Sequence, residues 1–127
     1  MKYPVKGRIT SPFGDRIHPV TKVKTFHNGI DISCVEGSEV VCPADGRVIL
    51  VDNIDDTSGG LQLVIQHGNF RTGYAHLSKI NVKMSEKVKT GQVVALTGNT
   101  GIGTGSHLHF TYTDAKGEKQ DPQQFFN

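Results

Sequence analysis

An all-β, mainly antiparallel domain is the architecture this 127-residue chain predicts, and three observations carry the prediction. Short Val- and Ile-rich runs recur between clusters of Gly, Asn and Asp, the composition of strands joined by turns. Glycine is abundant at 15 residues while tryptophan is absent. Segments such as Leu61-Gln62-Leu63-Val64-Ile65-Gln66-His67 alternate towards the two-residue period of a strand. The length suits one domain, residues 1–127, with a core of its own. A formal net charge of +2 with pI near 8.6 demands no nucleic-acid partner. Such a surplus suits an anionic polymer but is ordinarily solvated surface. No run approaches the roughly 20 apolar residues that span a bilayer, and the first residues lack the hydrophobic region of a signal peptide. The expectation is a domain cut from a longer exported protein, or a chain that reaches its target without its own signal.

Residues 1–19 read as an extended lead-in, because Ile9-Thr10-Ser11-Pro12-Phe13-Gly14 carries too much turn chemistry for a helix. His18 precedes a proline, which holds it in extended or turn backbone. It is expected on a cleft wall or the surface rather than on a metal. In Phe26-His27-Asn28-Gly29-Ile30-Asp31-Ile32, the Asn-Gly pair favours a turn. A tight bend there would carry the His27 ring back towards the Asp31 carboxylate. The plainer alternative is an Asp capping a turn near a surface His.

Cys34 and Cys42 flank Glu36-Gly37-Ser38, which reads as a hairpin turn. They lack metal-pair spacing, and a cross-strand disulfide and two buried thiols both fit. Residues 40–50 read as strand, turn at Pro43-Ala44-Asp45-Gly46, and strand. Residues 53–60 read as a polar, solvated loop and the candidate for a mobile or substrate-facing rim, whose Asp55 and Asp56 lack the spacing of a calcium loop. Residues 61–67 make a strand with His67 in its turn. Residues 70–76 return as a strand whose end projects His76 towards a cleft. Residues 81–89 are polar with Val82 and Val88 as anchors, and residues 91–96 are a buried strand. The Gly/Thr-rich loop 98–105 precedes no helix, so it does not cradle phosphate. Its use is to bring backbone close to the site. Residues 114–120 are a charged turn, and Phe125 and Phe126 dock the tail onto the sheet.

Ser106-His107-Leu108-His109-Phe110 carries the chemistry. On a strand, His107 and His109 point one way, about 6–7 Å apart along the chain, while Leu108 and Phe110 point to the core. Alone, the motif reads equally as two exposed histidines on a half-buried strand. Two histidines and one carboxylate, with water in the fourth position, make an open catalytic zinc site. This chain supplies His27, Asp31 and one of His107 or His109, which leaves two more histidines for proton transfer.

Taken together, Ile9 to Gly14, His27 to Ile32, Ala44-Asp45-Gly46, Tyr74-Ala75-His76-Leu77-Ser78, Gly91-Gln92, residues 98–101 and His107-Leu108-His109-Phe110 form an ordered set. Over nearly the whole chain it resembles the lysostaphin/LytM-type zinc endopeptidases, which cut peptides in bacterial cell walls. The resemblance implies a compact, twisted antiparallel sheet, a duplicated-hybrid-motif sandwich, with the site in a loop-walled groove. It implies one zinc ion per chain held by His27, Asp31 and His109, with His76 and His107 as the non-ligand pair that handles the water and the transition state. Tyr74 and Arg16 are expected to contact substrate. His107 is favoured as the base because it shares a strand face with His109. The implied partner is peptidoglycan, cut at a stem-peptide cross-link or bridge by a monomer acting at the cell wall, of phage origin or as an excised domain.

Two departures are visible. Lys22-Val23-Lys24 stands where the family commonly has a glycine, and Thr111 where it often has an acid. Altered groove shape or altered support around the ligands is expected from these, not lost catalysis. No occluding N-terminal segment is evident, so an open, active site is expected. A non-catalytic wall-binding or hydrolase-activating relative is the alternative, and all five site positions argue against it. A lipoyl-type carrier, suggested by residues 88–94, leaves those five positions unexplained.

Overall fold

The computed structural model describes residues 1–17, 20–55, 59–99 and 105–127. Its strands are β1 (Arg8–Ser11), β2 (Gly14–Ile17), β3 (Lys24–His27), β4 (Ile30–Ser33), β5 (Glu39–Val41), β6 (Gly46–Asp52), β7 (Leu61–Gln66), β8 (Arg71–Ile80), β9 (Lys87–Val88), β10 (Val93–Thr97), β11 (His107–Thr113) and β12 (Lys119–Gln120). A 3-10 turn, Pro122–Gln124, follows them, and no α-helix occurs among the described residues. All strand pairings are antiparallel, as the turn-rich composition predicts.

The main sheet runs β1-β4-β11-β8-β7-β6-β9, and β2 and β3 form a separate two-stranded ribbon. The long strand β8 is where the sheet forks. Its residues 71–75 pair with β11, whereas Leu77, Lys79 and Ile80 pair with β10, which continues to β5. His76 stands at the fork with φ of +61°. Between the pairs Leu61↔Leu77 and Leu63↔Tyr74, β8 contains one residue more than β7. That is a β-bulge, which twists a strand and re-aims a side chain.

One core lies under the sheet. Ile30 and Ile32 of β4, Leu63 and Ile65 of β7, and Leu108 and Phe110 of β11 are all buried, each alternating with a more exposed neighbour, and the consecutive Val94 and Ala95 of β10 join them. Truncating any of the larger ones to Ala removes about 2–5 kcal/mol. The tail docks as expected. Phe126 stacks on Tyr3 and Phe110, and Phe125 on Tyr112. Val82 and Val88 are buried anchors.

One expectation changes. Residues 36–38 are not a hairpin turn, because both edges of β4 are already taken by β1 and β11, and β5 pairs with β10 instead. Cys34 and Cys42 are both free thiols. Burial pushes the Cys42 thiol up to about 11, with its S–H donating to the Ala44 carbonyl.

His67 stands in the turn after β7, as expected, and is also a buried joint. Its Nδ1–H donates to the carbonyls of Ala44 (2.9 Å) and Asp45 (3.1 Å), Thr72 donates to its Nε2 (2.6 Å), and the Tyr74 hydroxyl donates to Thr72 (2.6 Å). Burial pushes the His67 pKa below its ordinary value, outweighing the upward pull of the Asp45 and Ala44 carbonyls and the Asp45 charge. On acidification the unfolded chain therefore takes up this proton first, at about pH 6.5. Stability is lost as pH falls from there towards the folded pKa. In excess chelator, His67→Gln should show a flatter decline of Tm between pH 7 and pH 5 than the unsubstituted protein.

Candidate metal centre

The centre forms where the ribbon meets the sheet. His27 ends β3, paired with Gly14 of β2, and Asp31 lies on β4 in the main sheet. The Asn28-Gly29 bend joins them. A Cβ on Gly29 would lie 2.4 Å from the Phe110 carbonyl oxygen, so only glycine lets the bend sit this close to β11. In the β4–β11 register His109 stands directly opposite Asp31, and His107 opposite Ser33. The expected alternation holds: Leu108 and Phe110 face the core while His107 and His109 share the other face.

Three side chains converge here. His27 Nε2 lies 3.4 Å from Asp31 Oδ1 and 3.3 Å from His109 Nδ1, and His109 Nδ1 lies 2.9 Å from Asp31 Oδ1. Zinc bonds of about 2.0–2.1 Å imply tetrahedral edges of roughly 3.3 Å; the two separations from His27 match that edge, and the third, at 2.9 Å, is a hydrogen bond. The outward nitrogens set the tautomers. His27 Nδ1–H donates to the Pro12 carbonyl (3.0 Å) and His109 Nε2–H to Asn28 Oδ1 (3.2 Å). His27 thus turns a lone pair inward, and His109 aims Nδ1 at the Asp31 carboxylate, to which it donates. With that proton displaced, two imidazole nitrogens and a carboxylate make a donor set that fits a borderline-soft divalent cation. Burial raises the Asp31 pKa, but the hydrogen bond from His109 and the positive potentials of His27, His109 and His107 outweigh it. Its carboxyl therefore sits below the usual range.

His107 and His76 flank the cluster. Their ring centroids are 4.8 Å apart, and His76 lies 6.4 Å from His109. His107 Nδ1–H donates to the Gly105 carbonyl (2.8 Å), leaving Nε2 as an acceptor 4.0 Å from Asp31 Oδ1. A gap of that size admits a bridging water. His76 reaches the site because of the fork. Its N–H donates to the Gly59 carbonyl and its own carbonyl accepts from Gly98 N–H, and Gly98 in turn bridges to His107.

The structure thus brings His27, Asp31, His109, His107 and His76 together. Arg16, exposed on β2, donates to the Ser11 hydroxyl, which lies 3.4 Å from His27 Nδ1. Tyr74 is a correction. It is 2% exposed, packed edge-on against Phe110, and its hydroxyl is committed to Thr72, so it belongs to the core and not to a substrate groove. Burial raises its pKa well above the ordinary value. Thr111, one of the departures, fills a notch between Gly29 and Gly73. His18, Asp56 and most of loop 98–105 lie outside the described residues. Sequence reasoning missed Asn28, Pro12 and Gly105 as partners of the site. Two of these act through backbone carbonyls, which leave no mark on residue type. Asn28 was legible only as a turn residue.

A family model described as peptidase family M23 matches residues 25–122. Peptidoglycan DD-endopeptidase ShyA of Vibrio cholerae is 48% identical over 86% of this chain and 26% of its own length. The chain therefore spans about a quarter of that relative. Among solved structures, a zinc-containing peptidase from Vibrio cholerae matches with a TM-score of 0.85 and 43% identity, over 94% of this chain and 37% of that one. The catalytic domain of the antimicrobial peptidase lysostaphin from Staphylococcus simulans matches with a TM-score of 0.82 and 29% identity, over 94% and 91%.

Proposed function

The chain belongs to peptidase family M23, and from that we propose that it is a zinc-dependent endopeptidase that hydrolyses peptide bonds in bacterial peptidoglycan at the cell wall. The observation that carries this is the convergence of His27 Nε2, Asp31 Oδ1 and His109 Nδ1, all within 3.4 Å of one another. Those three atoms would hold one zinc per chain. Bound there, zinc supplies a Lewis acid for the scissile carbonyl and acidifies water. His107 Nε2 takes the proton of the attacking water, with its ring held in that tautomer by the Gly105 carbonyl. The His76 ring, across from it, donates to the developing oxyanion. Arg16, on the ribbon beside His27, offers a cation to a substrate carboxylate.

The DD-endopeptidase name of the 48% identical relative supports a D-alanyl cross-link as the bond cut. Digestion of two purified peptidoglycans, one cross-linked through D-alanyl bonds and one through glycine bridges, tests this. Mass analysis should find monomeric muropeptides released from the first. Release only from the second reassigns the bond. Two intact walls beside a zinc-loaded protein overturn catalysis in favour of wall binding.

A further inference from the structure

The outer supports of the two ligand histidines differ in kind. His27 is braced by a backbone carbonyl, that of Pro12, which no substitution removes. His109 is braced by a side chain, with Nε2 at 3.2 Å from Asn28 Oδ1. The amide oxygen can only accept, so this contact keeps a proton on Nε2, and Nδ1 is the nitrogen left to exchange its proton, shared with the Asp31 carboxylate at 2.9 Å, for the metal. Asn28 is held in reach by the bend, which Gly29 allows to lie directly on the Phe110 carbonyl.

We infer that Asn28 is a positioning residue for the metal centre, fixing the tautomer and orientation of His109. The inference rests on the zinc reading of the site. Asn28 touches neither substrate nor the reacting atoms. It acts through the ring, by raising the share of His109 molecules that present Nδ1. Partners of this type are worth about 10–100-fold in metal affinity. Gly29 and Asn28 thus act as a unit: the glycine grants the approach, and the amide uses it.

Zinc titration against a chromophoric chelator, with Asn28→Ala and Asn28→Asp beside the unsubstituted protein, measures the effect. Asn28→Ala should weaken zinc by about 10-fold or more, and Asn28→Asp, which keeps an acceptor, should restore most of the loss. Nitrogen-15 spectra of the zinc-loaded protein supply the second readout. The His109 Nε2–H should be protected from exchange with water in the unsubstituted protein and in Asn28→Asp, and should exchange fast in Asn28→Ala. Unchanged affinity and protection in Asn28→Ala, or equal loss in both variants, would overturn the role of Asn28. An unsubstituted protein that takes up no zinc would overturn the metal reading instead.

Discussion

Asp31→Ala is expected to strip zinc and abolish peptidoglycan cleavage together, and His109→Ala to do the same. Each removes one of three donors whose separations of 2.9–3.4 Å define the centre. Outer partners of a ligand are worth roughly 10–100-fold, so loss of a ligand itself exceeds that, on the order of 10³-fold or more in affinity. Asp31 carries more than its share. It is the carboxylate at the meeting point of His27, His109 and His107, whose positive potentials and hydrogen bonding hold its carboxyl ionised against the cost of burial. Its removal leaves only imidazoles around the ion. Metal analysis after dialysis, with cleavage assayed in parallel, checks both variants. The fold should survive, because Asp31 and His109 point away from the core that Ile30, Ile32, Leu108 and Phe110 make.

His107→Ala should do the opposite: it keeps zinc and loses activity by about 10²–10⁴-fold, the usual worth of a positioned proton-transfer group. His107 Nε2 stands 4.0 Å from the ligand oxygen, outside bonding distance of the cluster but within reach of a water beside it. His76→Ala should also keep zinc, and the two variants separate in their pH profiles. The acid limb of kcat/KM reports an essential base, so it should persist in His76→Ala and disappear from His107→Ala. Zinc lost from His107→Ala but kept in His109→Ala would reverse the assignment within the pair.

The parts of this site that were legible in the sequence are those written in residue type at fixed spacing. His107-Leu108-His109-Phe110 states its two faces outright, and β11 keeps them. His27-Asn28-Gly29-Ile30-Asp31 announces a bend between a ring and a carboxylate, and the bend is there. What stayed illegible depends on how strands meet. The fork at His76 rests on one residue more in β8 than in β7 and on a positive φ in a non-glycine, for which composition holds no signal. Tyr74, which the resemblance placed against substrate, lies two residues before a site histidine. The bulge between them breaks the alternation and leaves Tyr74 in the core. His67 was legible as a turn residue, but the folding of that turn under the sheet edge, to meet the Ala44 and Asp45 carbonyls, was not. The Glu36–Ser38 turn had every local mark of a hairpin, and only the competition of β1 and β11 for both edges of β4 overrules it.

The position of the metal ties these statements together. Crystals grown with zinc and measured at the zinc absorption edge should give one anomalous peak per chain, lying between His27 Nε2, Asp31 Oδ1 and His109 Nδ1. A peak between His76 and His107, or no peak at all, would contradict the ligand assignment and the mechanism built on it.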